Sequence, residues 1–134
     1  MERARNDEPE QDFGSRDVFR TPSFYGFVET WVRPVPALTL STDAQITGPM
    51  KVPHYAGYIL RDRLEQSPTF FEWGANVAYR IGIEQDLYVE PFVGLRNILD
   101  SYQDDFDRGP ERDAGYVYGP RMPRTVFGGI KGGM

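Results

Sequence analysis

Five segments of the sequence alternate apolar and polar side chains with a period of two, and this pattern constrains the fold most. In one of them Trp73, Val77 and Tyr79 share a face while Asn76 and Arg80 lie on the other. Such alternation is typical of β-strands whose two faces meet different surroundings. The segments are Phe24–Val32, Ala37–Thr47, Phe71–Ile81, Leu87–Arg96 and Thr125–Met134. The sequence therefore predicts an all-β protein, an antiparallel meander of about five strands.

The charged side chains of these segments lie on the face opposite the apolar one. A strand shifted by one residue would exchange its two faces, so the register of each strand is well specified. We predict that the charged face lines a hydrated wall or lumen, where its side chains pair with one another. The alternative is that they contact a substrate or a plug domain. These lumen-facing candidates are Glu29, Asp43, Glu72, Arg80, Glu90, Arg96 and Lys131.

The connections between the predicted strands alternate in length. Arg33–Pro36 and Gly82–Asp86 are short, whereas Gly48–Thr69 and Ile98–Arg124 are long. Outer-membrane barrels have short turns at one end and long loops at the other, and about 9–11 residues suffice for a tilted crossing strand. The pattern favours a transmembrane β-barrel. A soluble β-sandwich or lipocalin-like sheet also alternates, so a soluble β-sheet ligand-binding module stays open.

The composition excludes several functional classes. Fifteen basic and twenty acidic residues give a formal net charge of −5, which argues against nucleic-acid binding. The absence of cysteine removes disulfides, thiolate metal sites and cysteine nucleophiles, and a single histidine leaves no zinc cluster. No phosphate-binding loop or nucleophile elbow is present. We therefore expect no enzyme activity, no cofactor and no metal ion.

Two loop features have a structural interpretation as well as a functional one. The stretch Asp100–Asp113 is rich in carboxylates and could attract calcium, but arginines lie among them and the spacing is not that of an EF-hand. We expect a self-paired loop there. His54 follows Pro53 in a long connection, and we expect a structural turn residue, not a ligand.

The loop that begins at Asn97 carries a distinctive series of residues. They are Asn97, Ser101, Tyr102, Gln103, Asp105, Phe106, Asp107, Gly109, Arg112, Asp113, Tyr116, Val117, Tyr118, Gly119, Pro120, Pro123 and Arg124. In order and spacing this series resembles the C-terminal end of TonB-dependent outer-membrane receptors, especially those of the Bacteroidetes type. The stretch Thr47–Tyr55, with its Val-Pro-His, and the strand opening Thr69–Phe71 are similar to the family as well.

The resemblance extends from about Thr21 onward and implies both a fold and a function. Receptors of this family have barrels of about 22 strands that a separate domain plugs. Residues 21–134 would be C-terminal strands of such a barrel, and residues 1–20 a polar N-terminal or extracellular loop segment. The expected location is the cell outer membrane. The family function is energy-coupled uptake of a scarce nutrient: siderophore-bound iron, haem, cobalamin or a glycan.

The same resemblance implies the partners of the chain, and the sequence departs from the family pattern at one place. We expect contacts with outer-membrane lipid, the rest of the barrel, the plug domain, the TonB energy-coupling system through that plug, and a small-molecule nutrient, but not with nucleic acid. The last strand of such receptors usually closes on an aromatic residue, and here Met134 stands in its place. Gly128, Gly132 and Gly133 also weaken this strand, because they have no side chain to pack. A non-functional receptor remnant is therefore a further alternative.

Overall fold

The computed structural model describes residues 5–84 and 86–134, and within them every regular element is a β-strand. The strands are β1 (Tyr25–Val35), β2 (Leu38–Thr47), β3 (Lys51–His54), β4 (Arg63–Gln66), β5 (Phe70–Tyr79), β6 (Ile81–Glu84), β7 (Leu87–Arg96) and β8 (Thr125–Gly133). The predicted all-β class is confirmed. None of the described residues belongs to a helix long and apolar enough to cross a membrane.

The chain divides into two compact units. Unit one contains the described part of Met1–Tyr25 together with Thr47–Phe70 and Tyr102–Arg121. Unit two contains Gly26–Ile46, Phe71–Ser101 and Met122–Met134. Both units are therefore assembled from segments that are distant in the sequence.

Unit two contains the predicted meander. Its strands follow the order β1-β2-β5-β7-β6, and β8 also pairs with β7. β5 and β6 pair with the same strand, β7, so they are two parts of one long strand that is interrupted at Arg80. β7 is antiparallel to β5, β6 and β8, and its pairing with β8 runs from Tyr88↔Gly133 to Arg96↔Thr125. The antiparallel order of the five predicted segments is confirmed.

The two short connections are shorter than the sequence indicates. β1 continues to Val35 and β2 begins at Leu38, so most of the predicted connection Arg33–Pro36 is strand. Likewise β6 runs to Glu84 and β7 begins at Leu87. Asp86 adopts a φ of +69°, which suits a tight hairpin turn. Backbone pairing continued further toward each turn than side-chain alternation predicted.

The predicted long connection Gly48–Thr69 contains a hairpin that alternation of side chains does not predict. β3 pairs antiparallel with β4 in the register Lys51↔Gln66 to His54↔Arg63. Each strand has four residues, too few to produce a readable alternation. The other long connection, Ile98–Arg124, has no strand, as predicted. His54 therefore ends a strand and does not lie in a turn.

The apolar core of the described chain lies in unit one. Met50 and Val52 pack with the buried Tyr116, and Tyr118 packs against this cluster. Ser67 joins the hairpin to it, because its Oγ accepts a hydrogen bond of 3.0 Å from the Met50 amide. The hairpin and the loop after Tyr102 are thus two walls of one small core.

The described part of the N-terminal segment packs in unit one. Phe13 contacts the rings of Phe19 and Tyr55, each at 5.8 Å between centroids. Lys51 forms an ion pair of 2.7 Å with Asp17. The predicted polar segment 1–20 is therefore anchored to β3, and its first four residues lie outside the described part of the chain.

Candidate functional site

Unit two exposes its apolar face. Along β5, Phe71, Trp73, Val77 and Tyr79 are between 36% and 50% exposed. Among the described residues of this unit, Ala78, on the opposite face, is the one buried apolar side chain. On the same face, the exposed apolar side chains of the neighbouring elements are Val28, Val32, Leu40, Ile81, Ile83, Leu87, Val93, Leu95, Val126 and Ile130. The opposite face also exposes apolar side chains, namely Phe27, Trp31, Val35 and Phe127. A sheet folded in water normally has the reverse arrangement, since burial of apolar area drives folding.

A cavity of about 540 Å³ lies on this apolar face. Val77 and Val93, which are direct cross-strand partners, form part of its lining. Leu40, Leu95 and Val126 contribute further apolar walls. The surface can therefore hold a flexible hydrocarbon group.

The indole of Trp73 has an apolar ring and a satisfied polar end. Its Nε1 donates a hydrogen bond of 2.7 Å to Thr42 Oγ1, and Thr42 in turn donates one of 2.8 Å to the Gly74 carbonyl. An indole held in this way suits a boundary between an apolar and a polar medium.

Three of the predicted lumen-facing residues form one ion-pair ladder on the other face. Glu90 lies opposite Lys131 in the register of β7 and β8, and their charged atoms are 3.7 Å apart. Arg80 donates to Glu90 from Nε and Nη2 at 3.1 and 3.0 Å. Arg80 also stacks over Tyr88, and Lys131 over Phe92. These contacts support the interpretation that the charged side chains pair with one another.

The other four lumen-facing candidates lie apart from this ladder. Arg96 stacks on the Phe127 ring. Asp43 lies so close to Gly74 that a side chain at position 74 would meet its carboxylate. Glu72 is half-buried and Glu29 is exposed. The seven candidates therefore line strands of one sheet and do not converge on a single centre.

Two glycines of β8 lie beneath aromatic rings of β7. A side chain at Gly129 would meet the Phe92 ring at 2.8 Å, and one at Gly133 would meet the Tyr88 hydroxyl at 2.7 Å. The rings thus fill the space that these glycines leave. Part of the expected packing cost of a glycine-rich last strand is thereby offset.

The loop of unit one is organised around the buried amide of Gln103. Its Oε1 accepts hydrogen bonds from the backbone amides of Tyr118 and Gly119, at 2.9 and 3.2 Å. Its Nε2 donates to the Tyr116 carbonyl at 3.2 Å, and its backbone amide donates to the Pro120 carbonyl. One side chain thereby fixes the return of a loop that has no regular strand pairing.

The Asp105 carboxylate accepts hydrogen bonds from the two tyrosine hydroxyls of the same loop. Tyr116 donates to it at 3.1 Å and Tyr118 at 2.8 Å. Burial, with the negative charge of Asp105, raises the pKa of both phenols well above the ordinary value. The two tyrosines remain neutral donors at physiological pH.

His54 is buried between two carboxylates. Its Nδ1 lies 3.0 Å from Glu65 Oε1, and its Nε2 lies 2.9 Å from Asp107 Oδ2. The ring stacks on Tyr116 at 3.7 Å between centroids. Burial acts to lower the pKa of His54, but the hydrogen bonds and charges of Glu65 and Asp107 outweigh it, so the pKa is raised. Arg63 pairs with Glu65 at 2.6 Å and adds a fourth charge.

Sequence patterns alone do not predict this arrangement. Asp107 belongs to the motif, but the sequence predicts only a structural turn role for His54, and no pattern points to Glu65. The available signal was that the one histidine of the chain lies within the Val-Pro-His stretch.

The remaining motif residues have local structural roles. In unit two, the Asn97 side chain accepts from the Ser101 amide and donates to the Met122 carbonyl. In unit one, Asp113 accepts from the Tyr55 and Gly115 amides. Arg112 donates to the Gly109 carbonyl, and Tyr102 and Phe106 are half-buried. The motif thus contributes to both units.

The acidic stretch does not form a metal centre in the described part of the chain, where no group of three or more His, Cys, Asp or Glu side chains is placed to hold an ion. Its carboxylates accept hydrogen bonds from loop amides and hydroxyls instead. Comparison of the chain with known protein families, curated proteins and solved structures gives no match.

Proposed function

We propose that this chain forms C-terminal strands of a TonB-dependent receptor in the cell outer membrane. In this role it takes part in energy-coupled uptake of a scarce nutrient, with siderophore-bound iron, haem, cobalamin and glycans as the candidate classes. Its partners are lipid, the remaining barrel strands, the plug domain and, through the plug, the TonB system. The proposal assigns no catalytic role to the chain.

The observation that carries the proposal is the exposed apolar face of unit two. Trp73, Val77 and Val93 stand on this face, whereas Glu90 and Lys131 pair on the other. In a bilayer such an arrangement is favourable, because lipid takes the apolar side chains and a hydrated lumen takes the charges. In water the same face would expose an apolar patch that monomeric proteins rarely tolerate.

The loop geometry gives a second, independent support. The motif that resembles the receptor family includes Gln103, Asp105 and Asp107, and each of these side chains holds part of one folded loop. A resemblance in residues that build a specific structure is more informative than one in scattered surface positions.

Single-cysteine labelling tests the proposal, because the chain has no cysteine of its own. Val77→Cys and Asn76→Cys are neighbours at nearly the same depth on opposite faces. With the chain grafted as the last strands of a complete receptor barrel in liposomes, we expect the cysteine at 77 to react with a lipid-confined maleimide and the one at 76 with a water-soluble maleimide. A monodisperse chain that unfolds cooperatively in water without detergent, or a cysteine at 77 that reacts freely with the water-soluble reagent, would overturn it.

The cavity favours a second candidate function, a soluble sheet that binds an apolar ligand. Its lining from Leu40, Val93 and Val126 would suit an acyl chain in either medium. In the first function lipid surrounds the apolar face of unit two, whereas in the second the face lies in water and binds a ligand. A soluble module would bind a fluorescent fatty acid with a stoichiometry near one while it remains monomeric in water.

A further inference from the structure

The contacts of His54 require a specific protonation state. An ionised carboxylate only accepts hydrogen bonds, and both ring nitrogens of His54 face one. Both nitrogens must therefore donate, which requires the doubly protonated imidazolium. The ring and the Asp107 carboxylate are almost completely buried, so water cannot replace either contact at low cost.

The two carboxylates come from different parts of unit one. Glu65 lies on β4, beside His54 on β3, whereas Asp107 lies in the loop Tyr102–Arg121. The Asp107 carboxylate also accepts the Asp113 amide at 3.0 Å, so it links the ring to the loop backbone. A protonated ring thus joins the hairpin to the loop.

We propose that His54 is a pH-sensitive latch that holds the loop Tyr102–Arg121 closed on the β3–β4 hairpin and releases it when the ring loses a proton. The proton passes to solvent. The nitrogen that loses it then presents a lone pair to a carboxylate, and attraction becomes repulsion. This inference goes beyond the proposed transport function and is independent of it.

The other charged groups around the latch define its balance. From β4, Glu65 carries an ion pair with Arg63 as well as its contact with His54. The loop contributes Asp107, which contacts His54 directly. It also contributes Asp105, which accepts a hydrogen bond from Tyr116, the residue stacked on the His54 ring. With His54 protonated, the chain Arg63–Glu65–His54–Asp107 has no net charge. Loss of the proton leaves it with one uncompensated negative charge.

The direction of the pH effect follows from the raised pKa of His54. A histidine in the unfolded chain has a pKa of about 6.5. Below that value the latch contributes its full stabilisation, and the contribution falls as the pH rises through the folded-state pKa. The loop is therefore closed in mildly acidic medium and loosened in alkaline medium.

Nuclear magnetic resonance of the full chain tests the protonation state directly. The chain has one histidine, so its ring ¹⁵N signals need no assignment. We expect the doubly protonated ring to predominate at about pH 6.5, where a free histidine is half neutral, in detergent micelles or in water, whichever keeps the chain folded. A mostly neutral ring at this pH would overturn the latch but would leave the proposed transport function untouched.

Hydrogen exchange of the same chain tests the release of the loop. The Asp113 amide reports on the latch, and the Ser101 amide, bound by Asn97 in unit two, is the internal control. After correction for intrinsic exchange, we expect protection of the Asp113 amide to fall at least about tenfold between pH 6 and pH 9, as for loss of a hydrogen bond to a charged group. The Ser101 amide should stay unchanged.

Matched substitutions separate the latch from a general effect of pH. His54→Gln should remove the pH dependence at the Asp113 amide. Glu65→Gln should move the transition to lower pH, whereas Glu111→Gln, the same change at an exposed site of the loop, should leave it in place. An unchanged transition in Glu65→Gln, or equal protection at pH 6 and pH 9 in the original chain, would refute the proposal even if His54→Gln fails to fold.

Discussion

The two units handle polar and apolar side chains in opposite ways. Unit one buries His54 and Gln103 together with Val52 and Tyr116, and each buried polar side chain in its described part has a partner. Unit two leaves Trp73 and most of its apolar side chains exposed. Unit one therefore has the interior of a protein folded against water, whereas the apolar face of unit two is suited to a hydrocarbon medium.

The difference shows why the mean hydropathy of the whole chain does not indicate which of its faces are buried. Burial of a polar group costs free energy unless it is hydrogen-bonded, and unit one meets this condition with side-chain contacts to the backbone. Unit two meets it for its backbone through strand pairing. Its Asn76 side chain departs from the rule, because Oδ1 is buried there without a hydrogen-bond partner among the described residues. One sequence thus contains two solutions to the same constraint.

The largest expected effect contrasts two adjacent phenylalanines. Phe70 is almost completely buried in unit one, and Phe71 is 40% exposed in unit two. We expect Phe70→Ala to lower the free energy of unfolding by about 3–5 kcal/mol, because it leaves a cavity. We expect Phe71→Ala, the matched control, to cost roughly 1 kcal/mol or less. Urea unfolding in micelles measures both, and equal losses would contradict the division into two environments.

A charge on the apolar face should have the next largest effect. In a bilayer we expect Val77→Lys to cost about 2–4 kcal/mol, the range for a basic residue at the midplane of a barrel. Val77→Leu at the same position should cost less than about 1.5 kcal/mol. Asn76→Lys, on the opposite face, should cost less than Val77→Lys, because a hydrated lumen takes the charge. Refolding into liposomes of a complete receptor barrel that carries this chain measures these values, and a tolerated Val77→Lys would speak against lipid contact.

Unit one should instead be sensitive to loss of a buried polar group. Gln103→Met keeps the shape of the side chain but removes its amide, so the amides of Tyr118 and Gly119 lose their acceptor. We expect a loss of about 1–3 kcal/mol and faster exchange of both amides. The exposed Gln66→Met is the control, and it should change neither quantity. An equal response in the two variants would mean that the Gln103 amide has no structural role.

The smallest effect is expected on the charged face of unit two. Glu90→Gln removes the ion pairs with Arg80 and Lys131, whose side chains are 49% and 61% exposed, whereas that of Glu90 is 14% exposed. We expect a cost of about 0–1 kcal/mol that decreases with added salt. Salt-dependent urea unfolding checks this, and a loss as large as that for Phe70→Ala would place Glu90 in a water-excluded interior.

Strand positions in unit two could be predicted from the sequence because alternation is a local property. The segment from Phe71 alternates over its whole length, and the structure places a strand there with Phe71 and Val77 exposed on one face. Alternation predicts that Arg80, Glu90 and Lys131 lie on the same face, but it does not predict the ion pairs among them. The contacts among these side chains depend on the pairing register. Alternation excludes a shift by one residue, because that would exchange the faces, but it does not exclude a shift by two.

Unit one was predictable only in outline. The motif drew attention to Gln103, Asp105 and Asp107, but nothing local indicates which groups they bind. β3 and β4 have four residues each and show no readable period. Glu65 gains its role only because the hairpin register and the loop return place it and Asp107 on either side of His54.

The sequence by itself determined the all-β class, the five alternating segments and the separation of charged from apolar faces, because each depends on neighbours along the chain. Only the tertiary structure decided that the apolar face of unit two is exposed and that His54 lies between two carboxylates. Which side of a sheet is covered, and which acids meet one base, depend on contacts between residues far apart in the sequence. Asp107 and His54 are 53 positions apart, and only folding brings them within hydrogen-bonding distance.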